Sequence, residues 1–240
     1  MITFIKNEFI KVKSEKFIII VILLSLIKFV MNLANFLINN QNLSLVGGFY
    51  FRFYNQYFMI MPIVMGIIGS SIFFIEYKNH TLLNWLTYSK STHKLFLAKF
   101  IASFSYCFFL YALNLLLVLG FYLLLGRSFK ELELIFFSFT LLNIFLALFM
   151  LPLSISIVVL FNNYIASIVT TIGISMISMI LIPAPFANLI PNTLGYRLGI
   201  TSIDSSLGFD SPSSLIIGIL ISLIISIILI LAGSKNLKIH

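Results

Sequence analysis

Few side chains in this 240-residue chain are equipped for chemistry, and their spacing excludes most of it. His80, His93 and His240 fall in polar segments that long apolar runs separate from Glu131, Glu133, Asp204 and Asp210. No apolar run holds paired acids or a His–acid set, so acid–base or nucleophilic catalysis has no cast. Cys107 is alone, which excludes a disulfide framework. Gly-x-x-x-x-Gly-Lys-Ser/Thr is absent, and Gly233-Ser234-Lys235 does not meet that spacing. What remains is a charge in a costly place. Ser25, Lys28, Asn32, Asn35 and Asn39 recur at steps of three and four, on one face of a helix. Lys28 sits about 16 Å into that apolar helix at about 1.5 Å per residue, where a lysine costs about 2.5–3.5 kcal/mol. This stripe is expected to face a translocation path or a second subunit; the alternative is a lysine snorkelling from a tilted helix.

The elements that position these residues are membrane spans. Residues 53–75, 100–126, 134–196 and 211–234 carry no charge, and Lys28 is the one charge between 17 and 38. A bilayer core about 30 Å thick takes roughly 20 helical residues. The run 134–196 has a polar break at Phe161-Asn162-Asn163-Tyr164, so it divides in two. Six spans are expected, over 17–38, 57–75, 100–125, 134–160, 164–182 and 213–233, in a single all-α transmembrane domain over 1–240. The first span is too long for a signal-peptide core and is expected to be retained. A content of 60% hydrophobic and 9% charged residues agrees. Ten Lys/Arg lie on the side of the two termini: Lys6, Lys11, Lys13, Lys16, Lys78, Lys90, Lys94, Lys99, Lys235 and Lys238. Arg52, Arg127, Lys130 and Arg197 lie on the other side, so the termini are expected in the cytoplasm. The net charge of +8 is therefore mostly topology, and a basic soluble face for nucleic acid is missing.

Other polar positions read as packing. Tyr164, Ser167, Thr171, Ser175 and Ser178 share a face, where hydroxyls can bond their own helix; a cavity-lining role for Ser167, Thr171 and Ser175 is compatible. Pro62, Gly66 and Ser70, and Gly218, Ser222 and Ser226, repeat at four and predict close helix contacts. Residues 183–212 hold Pro183, Pro185, Pro191 and Pro212 in an apolar setting, which predicts short helices dipping into the outer leaflet and returning. In 1–16, Ile2, Ile5, Phe9 and Val12 share one face among lysines, predicting an amphipathic helix on the inner leaflet, with Lys11 and Glu15 able to pair. Within the cytoplasmic loop 76–99, Thr81 can cap a short helix whose Leu82, Trp85 and Leu86 share a face, fit for headgroups or a partner's pocket.

The basic amphipathic N-terminus, six spans and a loop reading Glu-Tyr-x-x-x-Thr-Leu-x-x-x-Leu-Thr, then Ser, basic residues and Lys-Phe, resemble the permease subunit of type-2 ABC exporters. Size and lack of extra domains are most similar to the lantibiotic-immunity, bacitracin-resistance and phenol-soluble-modulin export group. Ser89-Lys90-Ser91 departs from the Pro and Arg often found there. The resemblance implies that residues 81–87 form a coupling helix, with Glu76 just before it, docking into a cytoplasmic ATPase. It also implies two permease copies, alike or different, and two ATPase subunits that carry ATP and Mg. This chain would carry no cofactor and no catalytic site. Export of an amphipathic, lipid-like or antimicrobial peptide substrate from a bacterial cell membrane follows as the expectation. The rivals are the substrate-binding membrane module of an energy-coupling-factor importer, which should lack the amphipathic loop, and an integral-membrane enzyme.

Overall fold

The computed structural model describes residues 1–39, 41–79, 92–209 and 211–237. Its order is α1 (Ile2–Lys13), α2 (Phe17–Ile38), α3 (Phe49–Lys78), α4 (Thr92–Leu124), α5 (Phe129–Phe161), α6 (Tyr164–Ile180), α7 (Pro191–Thr201) and α8 (Pro212–Lys235), with 3-10 turns at Ala187–Leu189 and Ser205–Leu207. Among the described residues, α2, α3, α4, α5 and α8 have the length and hydropathy to cross a bilayer. Apolar α6 has 17 residues, about 26 Å at about 1.5 Å each. The chain is thus an all-α, multi-spanning membrane protein. The helices outrun the apolar stretches that reveal them: α3 starts at Phe49 rather than near 57, and α4 starts at Thr92 rather than near 100. Helical hydrogen bonds continue past the last apolar residue as long as nothing breaks the ladder.

The breaks are local. Asn162 adopts a left-handed conformation (φ 50) that ends α5, and the Asn163 side chain accepts the Ala166 N–H to start α6. Ser128 and Glu131 form a reciprocal capping box at the start of α5. Ser211 caps α8, with Pro212 in its first turn.

Helix α3 is the hub, packed against α2, α4, α5 and α6. Its first half buries an aromatic column of Tyr50, Phe53, Tyr54, Tyr57 and Phe58. Its second half is a small-residue seam. A Cβ on Gly66 would meet Thr171 of α6, and one on Gly69 would meet Ser154 of α5. Ser70 donates to Ser167 Oγ at 2.8 Å, and Ser175 donates to the Met59 carbonyl at 2.8 Å. The hydroxyl face of α6 is therefore a packing face against α3. Helix α7 lies against α5, with Gly195 over Phe145 and Gly199 against Tyr54 and the Ser138 carbonyl. The Tyr54 hydroxyl also caps the Tyr196 carbonyl at 2.8 Å.

Helix α1 forms as its pattern predicts, but it turns inward through more than apolar residues. Val12 and Glu8 are buried, Phe9 packs 5.3 Å from the Tyr106 ring, and Ile2 stays exposed. The expected Lys11–Glu15 pair does not form. Lys11 reaches Glu8 and Glu76, and Glu15 lies 3.9 Å from Lys78. Buried acids offer Lys11 more than a solvated neighbour one turn away.

The seam makes a testable distinction between glycines. Gly66→Ala forces Thr171 aside and is expected to destabilise by about 1–3 kcal/mol. Gly173→Ala meets nothing within 4 Å and should be neutral or stabilising, up to about 1 kcal/mol. Thermal unfolding of the detergent-solubilised chain separates the two.

Candidate functional site

Two groups of polar side chains are held inside the helical bundle. The first closes the end of α3 and the start of α4, where residues 79–91 leave and return. Glu76 sits in the last turn of α3, Lys99 in the third turn of α4, and Glu8 and Lys11 on the inner face of α1. Lys99 Nζ lies 2.6 Å from Glu8 Oε2 and 3.1 Å from Glu76 Oε1. Lys11 Nζ lies 2.7 Å from Glu76 Oε1 and 3.2 Å from Glu8 Oε1. Each carboxylate thus touches both ammonium groups, and the square is neutral. Lys99 also donates to the Ile72 carbonyl at 2.9 Å. Glu8, Glu76 and Lys99 are buried while Lys11 is half-buried. Burial alone would lower the Lys11 pKa. The Glu76 hydrogen bond and the charges of Glu8 and Glu76 outweigh it and raise it above the ordinary 10.5.

The second group lies midway along the spans. The Lys28 side chain is fully buried, donates to the Ser25 carbonyl at 2.7 Å and stands 4.7 Å from the centroid of the Tyr57 ring. Carbonyl and ring face together offset part of the cost of a desolvated ammonium. It does not snorkel. The Tyr57 hydroxyl donates to Asn143 Oδ1 at 2.7 Å. Ser25 Oγ accepts from Asn114 Nδ2 at 2.6 Å, and Asn32 Nδ2 donates to Gln56 Oε1 at 2.7 Å. Helices α2, α3, α4 and α5 are joined here through one polar layer. Ser25, Lys28 and Asn32 are all buried within the chain's own bundle. Asn35 is half-buried at the rim, where it accepts a hydrogen bond from Asn39 at 2.6 Å.

The expected site residues therefore separate. Ser25, Lys28 and Asn32 come together, whereas Ser167, Thr171 and Ser175 line the α3–α6 seam. Glu76 is buried in the charge square, in contact with Lys11 and Lys99. Thr81, Leu82, Trp85 and Leu86 lie outside the described residues, as do His80, Ser89-Lys90-Ser91, Asp210 and His240. Glu8, Tyr57, Gln56, Asn114 and Asn143 were not singled out from sequence, and Lys99 entered only through the charge count and the Lys-Phe of the loop pattern. Two signals were available: Glu8 is an acid on the apolar face of α1, and Asn114 and Asn143 are lone amides within apolar runs. Among the described residues no cluster of His, Cys, Asp or Glu has the makings of a metal site.

Lys99→Met is expected to remove the buried cation shared by Glu8 and Glu76, a loss of about 3–5 kcal/mol in the packing of α1. In a Cys107→Ser background, thiol labelling of Val12→Cys reads that loss as increased reactivity. Adding Glu8→Gln, which leaves the Lys11–Glu76 pair intact, should restore protection. The Lys11 contribution is fully present below pH 10.5 and is lost as pH climbs through its raised value.

No curated protein and no solved structure matches the chain. A family model described as ABC-2 family transporter protein matches residues 4–178, from within α1 almost to the end of α6. Subunits of this family are membrane-embedded permeases without catalytic activity of their own, and they imply a cytoplasmic ATPase partner. With buried polar groups joining its helices and most of its length matched, this chain belongs to the ABC-2 transporter family.

Proposed function

We propose that the chain is one half of a dimeric exporter that moves an amphipathic, membrane-associated substrate, a peptide in particular, out of a bacterial cell membrane. In this reading α6 is the sixth span, both termini are cytoplasmic, and 183–212 is a re-entrant element of the outer leaflet. Two copies of a separate ATPase dock against residues 81–87, through Leu82, Trp85 and Leu86, with Thr81 as the cap. The lantibiotic-immunity, bacitracin-resistance and phenol-soluble-modulin group is the nearest functional setting. One observation carries the proposal: Glu76 and Lys99 flank the 79–91 segment and meet in the charge square with α1. A segment anchored so close to both ends passes a push from an ATPase into α3 and α4 rather than absorbing it. Helix α3 is the buried hub, so that push reaches the polar layer around Lys28. A ligand-driven change in the ATPase then biases two arrangements of the spans.

Trp85→Ala should leave the permease inserted but cost about 2 kcal/mol of its hold on the ATPase, roughly thirtyfold in affinity. Co-purification from membranes reads this directly, and unchanged recovery with normal export would remove Trp85 as the anchor. Lys28→Met keeps the bulk of the side chain and removes the buried charge, so stability should hold or rise. Export should nevertheless fall at unchanged protein level. Full export by Lys28→Met would restrict the polar layer to packing.

A further inference from the structure

A groove of about 580 Å³ lies between α4 and α5, open on one side and walled by Phe104, Phe108, Leu115, Leu116, Phe136 and Ile144. A second cavity of about 540 Å³ shares Leu116 and Phe136 and carries it on to Gly120, Leu123 and Glu133. From Phe104 to Leu123 it runs about 28 Å at about 1.5 Å per residue, close to the full thickness of a bilayer core.

Apart from Glu133 at one end, its walls are polar at one depth only. Thr140 Oγ1 donates to the Phe136 carbonyl and accepts from the Tyr111 hydroxyl, both at 2.6 Å, so that pair is satisfied. Asn143 is not. It is 7% exposed and lines the groove, and its one described hydrogen bond joins Oδ1 to the Tyr57 hydroxyl. Turning the amide round exchanges the two halves and still leaves one of them unpaired. In a bilayer such a group has no water to turn to. It lies about 15 Å along α5 from Glu133 at about 1.5 Å per residue, half the thickness of the core. Phospholipid carbonyls stay at the edges of the core, so an ordinary lipid brings only hydrocarbon to that depth.

The geometry points to a binding site for a membrane-inserted peptide helix, whose apolar side chains fill the groove and whose mid-membrane amide or hydroxyl pairs with Asn143. Small and polar side chains are what joins helices within lipid. This inference rests on the reading of the substrate as a membrane-associated peptide and assigns it an entry site on the α4–α5 face.

The test needs neither ATPase nor transport, so its failure is distinct from a failure of coupling or export. In the Cys107→Ser chain reconstituted in phosphatidylcholine vesicles, Leu116→Cys is labelled with a benzophenone maleimide. Biotinylated poly-leucine helices of membrane-spanning length, one with a single central Asn and one without, are the probes. The Asn helix should cross-link about threefold or more above the all-Leu helix, as one interhelical hydrogen bond allows. Asn143→Leu should abolish that difference, and Ala112→Phe, which places a ring in the groove, should lower cross-linking of both helices. Equal labelling of the two helices, or a preference for Asn that survives in the Ala112→Phe chain, overturns the proposal. Should Asn143→Leu not fold, the two helices compared on the parent and Ala112→Phe chains decide it.

Discussion

The arrangement depends on charge that has been withdrawn from water without being left alone. Glu8, Lys11, Glu76 and Lys99 form an alternating square in which every carboxylate meets two ammonium groups. Opposite charges a few ångströms apart repay desolvation only when geometry and hydrogen bonds are complete. Lys99 meets that demand through the Ile72 carbonyl as well as the two acids. The consequence is mechanical. Three segments far apart in sequence are held at one point, and none can shift without exposing a charge that the others neutralise.

The same rule acts at mid-depth with a different outcome. Lys28 has a carbonyl and an aromatic face where a carboxylate would be the simplest partner. Tyr57 serves two groups at once, its ring under the ammonium and its hydroxyl on Asn143. A single residue of the hub helix therefore couples the buried cation of α2 to the amide that lines the α4–α5 groove. Asn114 retains an unpaired Oδ1 in the same layer. The α3–α6 seam, by contrast, closes its hydroxyls on backbone carbonyls, as Ser167 does on Ser154 and Ser175 on Met59. The seam is closed, whereas Asn114 and Asn143 in the layer each keep an amide half without a described partner.

Much of the architecture was legible because the bilayer sets one length scale. Uncharged runs marked the spanning helices, and the two asparagines at 162 and 163 marked the turn between α5 and α6. The amphipathic face of α1 was equally visible. Helix ends were not, since the hydrogen-bond ladder outlasts hydropathy at Phe49 and Thr92. Periodicity put Ser25, Lys28 and Asn32 on one helical face, but neither its burial within the chain's own bundle nor its partners could be read from it. Gln56, Tyr57, Asn114 and Asn143 come from three other helices, and pairing across helices leaves no local spacing to read. Glu76 was singled out for its place before the loop, yet its environment is set by Glu8 and Lys99, respectively 68 residues before it and 23 after it.

That long-range pairing bears on how such a permease transmits force. A loop tethered only by covalent continuity would move independently of the spans it joins. Here the tether is electrostatic and includes α1, a helix with hydrophobic residues still exposed at Ile2 and Ile10. If α1 rests on the inner leaflet, the membrane surface itself braces the junction: a push on the loop works against the lipid surface, and its reaction is directed along α3. In the proposed function the buried hub would carry it to Tyr57, where Lys28, Asn114 and Asn143 lie in one polar layer. On that proposal, a charged clamp at one end and a polar layer in the middle of α3 would divide rigid transmission from switching.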